Sequence, residues 1–262
     1  MLPLRKCYSG SFFLEMKPQQ VRIFTLGRFS IVRAGGPVRF DGKAQKKPLE
    51  MLKVLVALGG LEVKKEVLTD ILWPDSDGDH ASWAFNTTLY RLRKILGSKK
   101  ALALREGRLT LDPKSCWVDI CEFERGFSEA DGALKEGDYE MALGLIEEAV
   151  SLYKGPFLAG ETDRPWSISA RERLRSKFIR YLGWLGSYCE ECGDLGKALE
   201  HYKKGIETNN LAEDFYQCMM LCYKKLGRRA EALDVYKRLK KTLSETLDVE
   251  PSPRSSEIFK NL

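Results

Sequence analysis

Apolar residues recur along this 262-residue chain in two different rhythms. Near the start the rhythm is alternation. Val21, Ile23 and Thr25, then Phe29, Ile31 and Arg33, lie on either side of Gly27-Arg28, which predicts two short strands joined by a tight turn. Gly35-Gly36-Pro37 turns the chain again, and Val38-Arg39-Phe40 reads as a third strand. The spacing then lengthens to three and four residues. Leu49, Met51, Leu52, Leu55 and Val56 predict a helix with Pro48 in its first turn and Gly59-Gly60 at its end. A second helix, from about Lys64 to Leu72, turns Val67, Leu68, Ile71 and Leu72 inward and stops at Trp73-Pro74. After the loop Asp75–Gly78, a third helix runs from Asp79 to Gly97. Ala81, Phe85, Leu89, Leu92 and Leu96 form its apolar stripe, with Asp79 as N-cap and Gly97 ending it. Ala101 to Leu111 alternates about Glu106-Gly107, a hairpin signal.

The second rhythm has a period of 34 residues. Setting Gly193 on Gly227 also superposes Ala198 on Ala232, Leu199 on Leu233 and Tyr202 on Tyr236. That is the tetratricopeptide period, in which antiparallel helix pairs bury their faces by stacking. Gly186 falls where such a repeat needs a small residue between packed helices, and Gly205 supplies a second close contact. A degenerate third copy passes through Ala130, Ala133, Gly137, Ala142, Ile146 and Ala149. About 22 residues are inserted after it, including GPFLAGETDRPW (Gly155 to Trp166). The fold class expected is therefore α+β, an N-terminal winged helix-turn-helix, followed by an all-α tetratricopeptide-like helical domain. The expected limits are 1–20 for a tail, 21–115 for the first domain and 116–262 for the second.

Sheet, three helices and a hairpin is the layout in which the third helix enters a major groove and the hairpin acts as a wing. The polar side of Asp79–Gly97 carries Ser82, Asn86, Thr87, Tyr90, Arg91, Arg93 and Lys94. Taken alone, such a face is more often merely solvated; its neighbours favour a reading surface. Asn86, Thr87, Tyr90 and Arg91 are expected to read bases or sugars, and Arg93 and Lys94 to hold backbone. Arg105 and Arg108 flank the wing turn, where they reach a minor groove or its phosphates. Lys46 and Lys47, with Lys64 and Lys65, stand at helix starts that favour phosphate. His80 is either a phosphate contact or an ordinary solvated residue.

Charge supports this division. Val21 to Ser115 holds 18 Lys and Arg against 10 Asp and Glu, a net of +8, whereas Cys116 to Leu262 is net −4. A basic module joined to a mildly acidic one suits a polyanion binder fused to a protein binder.

Enzyme chemistry finds little footing. The two histidines, His80 and His201, lie in different predicted domains, so no nucleophile and base can be paired. Cys189-x-x-Cys192 and Cys218 with Cys222 lie on corresponding helices of two repeats, which makes a four-thiolate site conceivable. Cys189, however, occupies the core position that Tyr223 fills one repeat later. No metal site, cofactor or small-molecule substrate is read. Seven cysteines in no secreted framework, no apolar run of membrane-spanning length and no convincing signal segment in MLPLRKCYSGSFFLEM lead to the expectation of a cytoplasmic protein.

LWPDSDGDHASWAFNTTLYRLRKILG (Leu72 to Gly97), after LGRFSI (Leu26 to Ile31), resembles the OmpR-type winged helix of SARP-type bacterial transcriptional activators. YKGPFL (Tyr153 to Leu158), Trp166, RERLR (Arg171 to Arg175), ALDVYKRLKKTL (Ala232 to Leu243) and VEPSP (Val249 to Pro253) resemble the bacterial transcriptional activator domain that follows it in that family. The resemblance covers nearly everything from Val21 to Leu262. It implies binding to double-stranded promoter DNA, recruitment of RNA polymerase and, commonly, action as a homodimer on direct repeats. Larger relatives add an ATPase region. Here there is no GxxxxGK[ST], and GDLGKA (Gly193 to Ala198) has the wrong spacing, so nucleotide control would have to come from another chain. The rival reading is a protein-interaction adaptor in which both domains dock proteins and DNA is not read.

Overall fold

A computed structural model describes residues 21–34, 36–40, 45–161 and 164–262. The expected N-terminal tail and Gly35 of the second predicted turn lie outside the described residues. Contacts divide the chain into two units. One is formed by residues up to Phe24 with Ser30–Val118, and the other by Thr25–Phe29 with Asp119–Leu262.

In the first unit, β1 (Val21–Phe24) pairs antiparallel with β2 (Ser30–Arg33), Ile23 opposite Ile31, and both of those side chains are fully buried. The third strand is β3 (Gly36–Pro37), two residues earlier than the alternation suggested. The tight reversal pairs Val32 with Pro37, and Val38 then needs only one bond, its N–H donating to the Ile31 carbonyl at 2.8 Å. The opposite edge is a strand that the sequence reading did not contain. β7 (Cys116–Val118) runs parallel to β1, with Ile23 beside Val118.

Helix α1 (Lys46–Ala57) carries Pro48 in its first turn and buries Met51, Leu52, Val54, Leu55 and Val56. Helix α2 (Lys65–Leu72) buries Leu68 and Leu72; Val67, expected inward, is 39% exposed. An eight-residue helix has room for a single buried stripe, and Leu68, Thr69 and Leu72 occupy it. Helix α3 (Gly78–Leu96) packs Ala81, Phe85, Leu89, Leu92 and Leu96 into the same core. Strands β5 (Leu102–Arg105) and β6 (Arg108–Leu111) form the predicted hairpin, and β4 (Val63–Lys64) pairs with β6 to make a three-stranded wing sheet.

The second unit is three helix pairs, α4 (Asp119–Glu136) with α5 (Tyr139–Leu152), α6 (Pro165–Glu191) with α7 (Leu195–Thr208), and α8 (Glu213–Lys225) with α9 (Arg229–Leu247), followed by α10 (Pro253–Lys260). The repeat is visible in the backbone. Gly137, Gly193 and Gly227 each adopt a left-handed conformation, with φ of 77°, 78° and 70°. After each of them the next N–H donates back to a carbonyl of the preceding helix, to Ala133, Cys189 and Tyr223 in turn, every bond at 2.9 Å. Gly186 and Gly205 do the work foreseen for them. A Cβ on Gly186 would come 2.2 Å from the Tyr202 ring, and one on Gly205 would come 2.7 Å from Phe215. Stacked rings join the first pair to the second, Phe127 on Tyr181 at 3.8 Å and Tyr153 on Phe178 at 3.9 Å.

The β1–β2 connection belongs to this unit, and it is no tight turn. Thr25 and Leu26 give their N–H groups to Asp119 Oδ2 at 2.6 and 2.7 Å, and Thr25 Oγ1 donates to Oδ1 at 2.7 Å. Gly27 exchanges bonds with the inserted segment, donating to the Pro156 carbonyl at 3.1 Å and accepting from Ala159 at 3.0 Å. Burial pushes the Asp119 carboxyl above its ordinary value, partly offset by these donors. Among the described residues no helix is long and apolar enough to cross a membrane.

Candidate nucleic-acid interface

The cap of helix α3 lies two residues before the expected one. Asp77, not Asp79, is the N-cap, its carboxylate accepting from the His80 N–H at 3.0 Å and meeting His80 Nδ1 at 2.8 Å. These bonds hold the exposed Asp77 below the usual carboxylate range. Gly97 ends the helix in the left-handed conformation, φ 72°, as its position suggested. Arg33 lies against this end, where a Cβ on Gly97 would come 2.9 Å from its guanidinium.

With 100° between successive residues, the face opposite the buried stripe is centred on Trp83, Thr87, Tyr90 and Lys94, with Asn86 and Arg91 on its two sides. Five of the predicted residues therefore share one surface. Asn86, Tyr90, Arg91 and Lys94 are exposed and Thr87 is half-buried. The side chains of Asn86, Thr87 and Arg91 make no hydrogen bond or ion pair to the protein among the described residues. The Lys94 ammonium sits 4.7 Å from the Tyr90 ring centroid, and hydrogen bonding to it lowers the Tyr90 phenol from its ordinary value.

Arg93 is turned elsewhere. Its Nε and one terminal nitrogen donate to the Leu102 carbonyl at 3.2 and 2.8 Å, so it ties α3 to the wing. An open groove beside it is lined by Tyr90, Arg93, Lys94, Gly97, Ser98 and Lys99. In the wing, Glu106 and Gly107 both have positive φ, 47° and 72°, the two-residue turn that matches strand twist. Arg105 and Arg108 stand directly opposite each other beside it, both exposed. Arg108 donates to the Glu62 carbonyl at 3.3 Å, while Arg105 has no protein partner among the described residues. The Lys65 N–H donates to the Gly107 carbonyl at 2.7 Å, which anchors the wing turn at the start of α2. Lys65 Nζ also holds Ser82 at 2.7 Å. Lys46 and Lys47 stand on α1, apart from the α3 stripe; Lys47 is paired with Glu50 at 3.2 Å and lies over Trp73.

Trp83 was passed over in the sequence, and at 71% exposure it is the most exposed large apolar residue described. Its signal was available: an indole three and four residues before Asn86 and Thr87, on a helix whose core positions were already filled. The cysteines offer no comparable site. Cys189 and Cys222 are buried core residues, their thiols pushed up to about 11 and about 12 by burial, and all the described cysteines are free. Among the described residues no group of three or more His, Cys, Asp or Glu could hold a metal.

The family model described as the bacterial transcriptional activator domain matches residues 118–262, more than half of the chain. The chain belongs to the bacterial transcriptional activator domain family. Similar proteins fit the SARP-type resemblance carried by the motifs. The chain is 27% identical over 239 residues to the regulatory protein AfsR of Streptomyces griseus, covering 88% of this chain and 24% of AfsR. It is 25% identical to the regulatory protein DnrI of Streptomyces peucetius over 80% of each. It is 28% identical to the transcriptional regulator RedD of Streptomyces coelicolor, covering 88% of this chain and 67% of RedD. These relatives are regulators, and the chain spans about a quarter of the length of AfsR. EmbR of Mycobacterium tuberculosis, solved in complex with a low affinity phosphopeptide, superposes with a TM-score of 0.70 over 93% of this chain and 65% of EmbR, at 20% identity. This member of the family thus shares its fold with EmbR.

Proposed function

We propose that the chain is a sequence-specific DNA-binding transcriptional regulator, acting as an activator on promoter DNA. The observation that carries this is the α3 stripe, where amide, hydroxyl and guanidinium groups stand exposed opposite the buried face. Exposed Asn and Arg side chains present the paired donors and acceptors that base edges in a major groove complement. In this reading Asn86, Thr87, Tyr90 and Arg91 read bases, and Lys94, Arg105 and Arg108 hold phosphates. Arg93 acts indirectly by fixing the wing to the helix, and Lys46 and Lys47 add charge at the start of α1. The helical repeats contact protein partners, with RNA polymerase and a second copy of the chain the two to test.

Selection from random duplexes tests it. The expected result is an enriched motif, with Asn86→Ala and Arg91→Ala each relaxing the preference at one or two positions. Recovery of no motif at low salt would overturn the reading in favour of a protein adaptor.

A further inference from the structure

We propose that Trp83 is a specificity residue that reads the 5-methyl group of thymine. This rests on the DNA-binding reading above and goes beyond it in naming the base and the group. Trp83 lies in the first third of α3, and N-terminal residues of a recognition helix are among those that contact base edges. It shares a face with Asn86, Thr87 and Tyr90, being three, four and seven residues before them. Its ring has no aromatic or cationic partner among the described residues. Lys65, which reaches the neighbouring residue Ser82 at 2.7 Å, lies 5.4 Å from the Phe85 ring centroid. The indole therefore projects as apolar surface from an otherwise polar and cationic stripe.

A major groove offers hydrogen-bonding edges at every base pair and one apolar group, the thymine methyl. Covering an indole with polar edges would strand their donors and acceptors, whereas setting it on a methyl removes apolar surface from water on both sides. Thymine is thus the base whose chemistry Trp83 matches.

The test uses the full chain, a duplex obtained by selection, and copies of it in which each thymine in turn is replaced by deoxyuridine, which removes only the methyl. Binding is followed by fluorescence anisotropy for the wild type, Trp83→Ala and Trp83→Phe. For the wild type, one or two positions should lose about fourfold in affinity, the worth of one buried methyl. With Trp83→Ala the same replacements should have no effect, and Trp83→Phe should keep part of it. Because the side chain is exposed and alanine favours helix, urea unfolding of Trp83→Ala should match the wild type. If a duplex binds but deoxyuridine costs the same with and without the indole, the assignment fails while the DNA-binding reading stands. If no duplex is selected, that reading has failed and the thymine assignment goes with it.

Discussion

Replacing Asp119 should destabilise the second unit more than removal of almost any other polar side chain in it. The carboxylate is 1% exposed and accepts four hydrogen bonds, from Thr25 N–H, Leu26 N–H, Thr25 Oγ1 and its neighbour Ile120 N–H, at 2.6 to 2.8 Å. The net worth of the intact arrangement is modest, because burying a charge offsets much of what the bonds return. Breaking it is another matter. Asp119→Ala strands three backbone donors where water cannot reach, at about 1–3 kcal/mol each and less than additively, so the expected loss is about 3–5 kcal/mol. With an m-value of about 2–3 kcal/mol/M the urea midpoint should fall by about 1–2.5 M. Asp119→Asn keeps the shape but should recover little. Two N–H donors converge on Oδ2, while Oδ1 receives an N–H and a hydroxyl. Whichever way the amide is turned, its NH2 faces at least one backbone donor. Thr25→Val loses a single bond and should cost about 1 kcal/mol. Urea unfolding followed by far-ultraviolet circular dichroism measures all three. An Asp119→Ala midpoint within about 0.3 M of the wild type, or Asn performing as well as Asp, would show that this carboxylate does not hold the Thr25–Leu26 segment.

Arg105 on the wing and Arg93, which ties α3 to it, should separate by assay. Arg105→Ala should leave stability unchanged and lower the slope of log K against log salt by about 0.9, one phosphate contact, across all duplexes alike. Arg93→Ala should instead lower stability by about 1–2 kcal/mol through loss of the bonds to Leu102, and a shifted salt slope with no change in the unfolding midpoint would contradict that role. Two kinds of glycine should also diverge in thermal unfolding. Gly186→Ala meets the ring of buried Tyr202 and should cost about 1–3 kcal/mol or more, whereas Gly144→Ala, inside α5 with nothing within 4 Å of the new carbon, should stabilise by about 0.5–1 kcal/mol.

What could be read directly from the sequence had a local cause. The wing turn is legible because Glu106-Gly107 interrupts an alternating run, and α3 because its stripe lasts more than four turns before a left-handed Gly97. The helix pairs are legible because each requires a left-handed residue at the same phase, and Gly137, Gly193 and Gly227 supply it. What escaped was non-local. β7 is three residues long and is defined by its partner β1, some 95 positions earlier, not by any alternation of its own. Asp119 reads as an ordinary acidic residue at a helix start; only its bonds to Thr25 and Leu26, 94 and 93 positions away, reveal the charge as structural. The same bonds explain why Gly27-Arg28 is not a hairpin turn, since a two-residue loop would withdraw Thr25 and Leu26 from the carboxylate.

The candidate site divides in the same way. Side chains two residues apart on a helix differ by about 200° in direction, so Arg91 and Arg93 cannot share one task despite their identical chemistry. Arg91 stays on the exposed stripe, and Arg93, on the flank, finds the Leu102 carbonyl. A guanidinium with two donors already given to its own backbone has less to offer a phosphate and more to lose if moved. In the proposed reading, the groups best fitted to read DNA are those whose side chains the fold leaves without an internal partner among the described residues, Asn86, Thr87 and Arg91 on the helix and Arg105 on the wing. Their hydrogen bonds now go to water, which a groove edge or phosphate can replace at little cost to the protein. Trp83 is the exception within that stripe, because apart from the Nε1–H its ring offers water no hydrogen bond. Covering it is favourable in itself, and the base that covers it should be the one with a methyl group to offer.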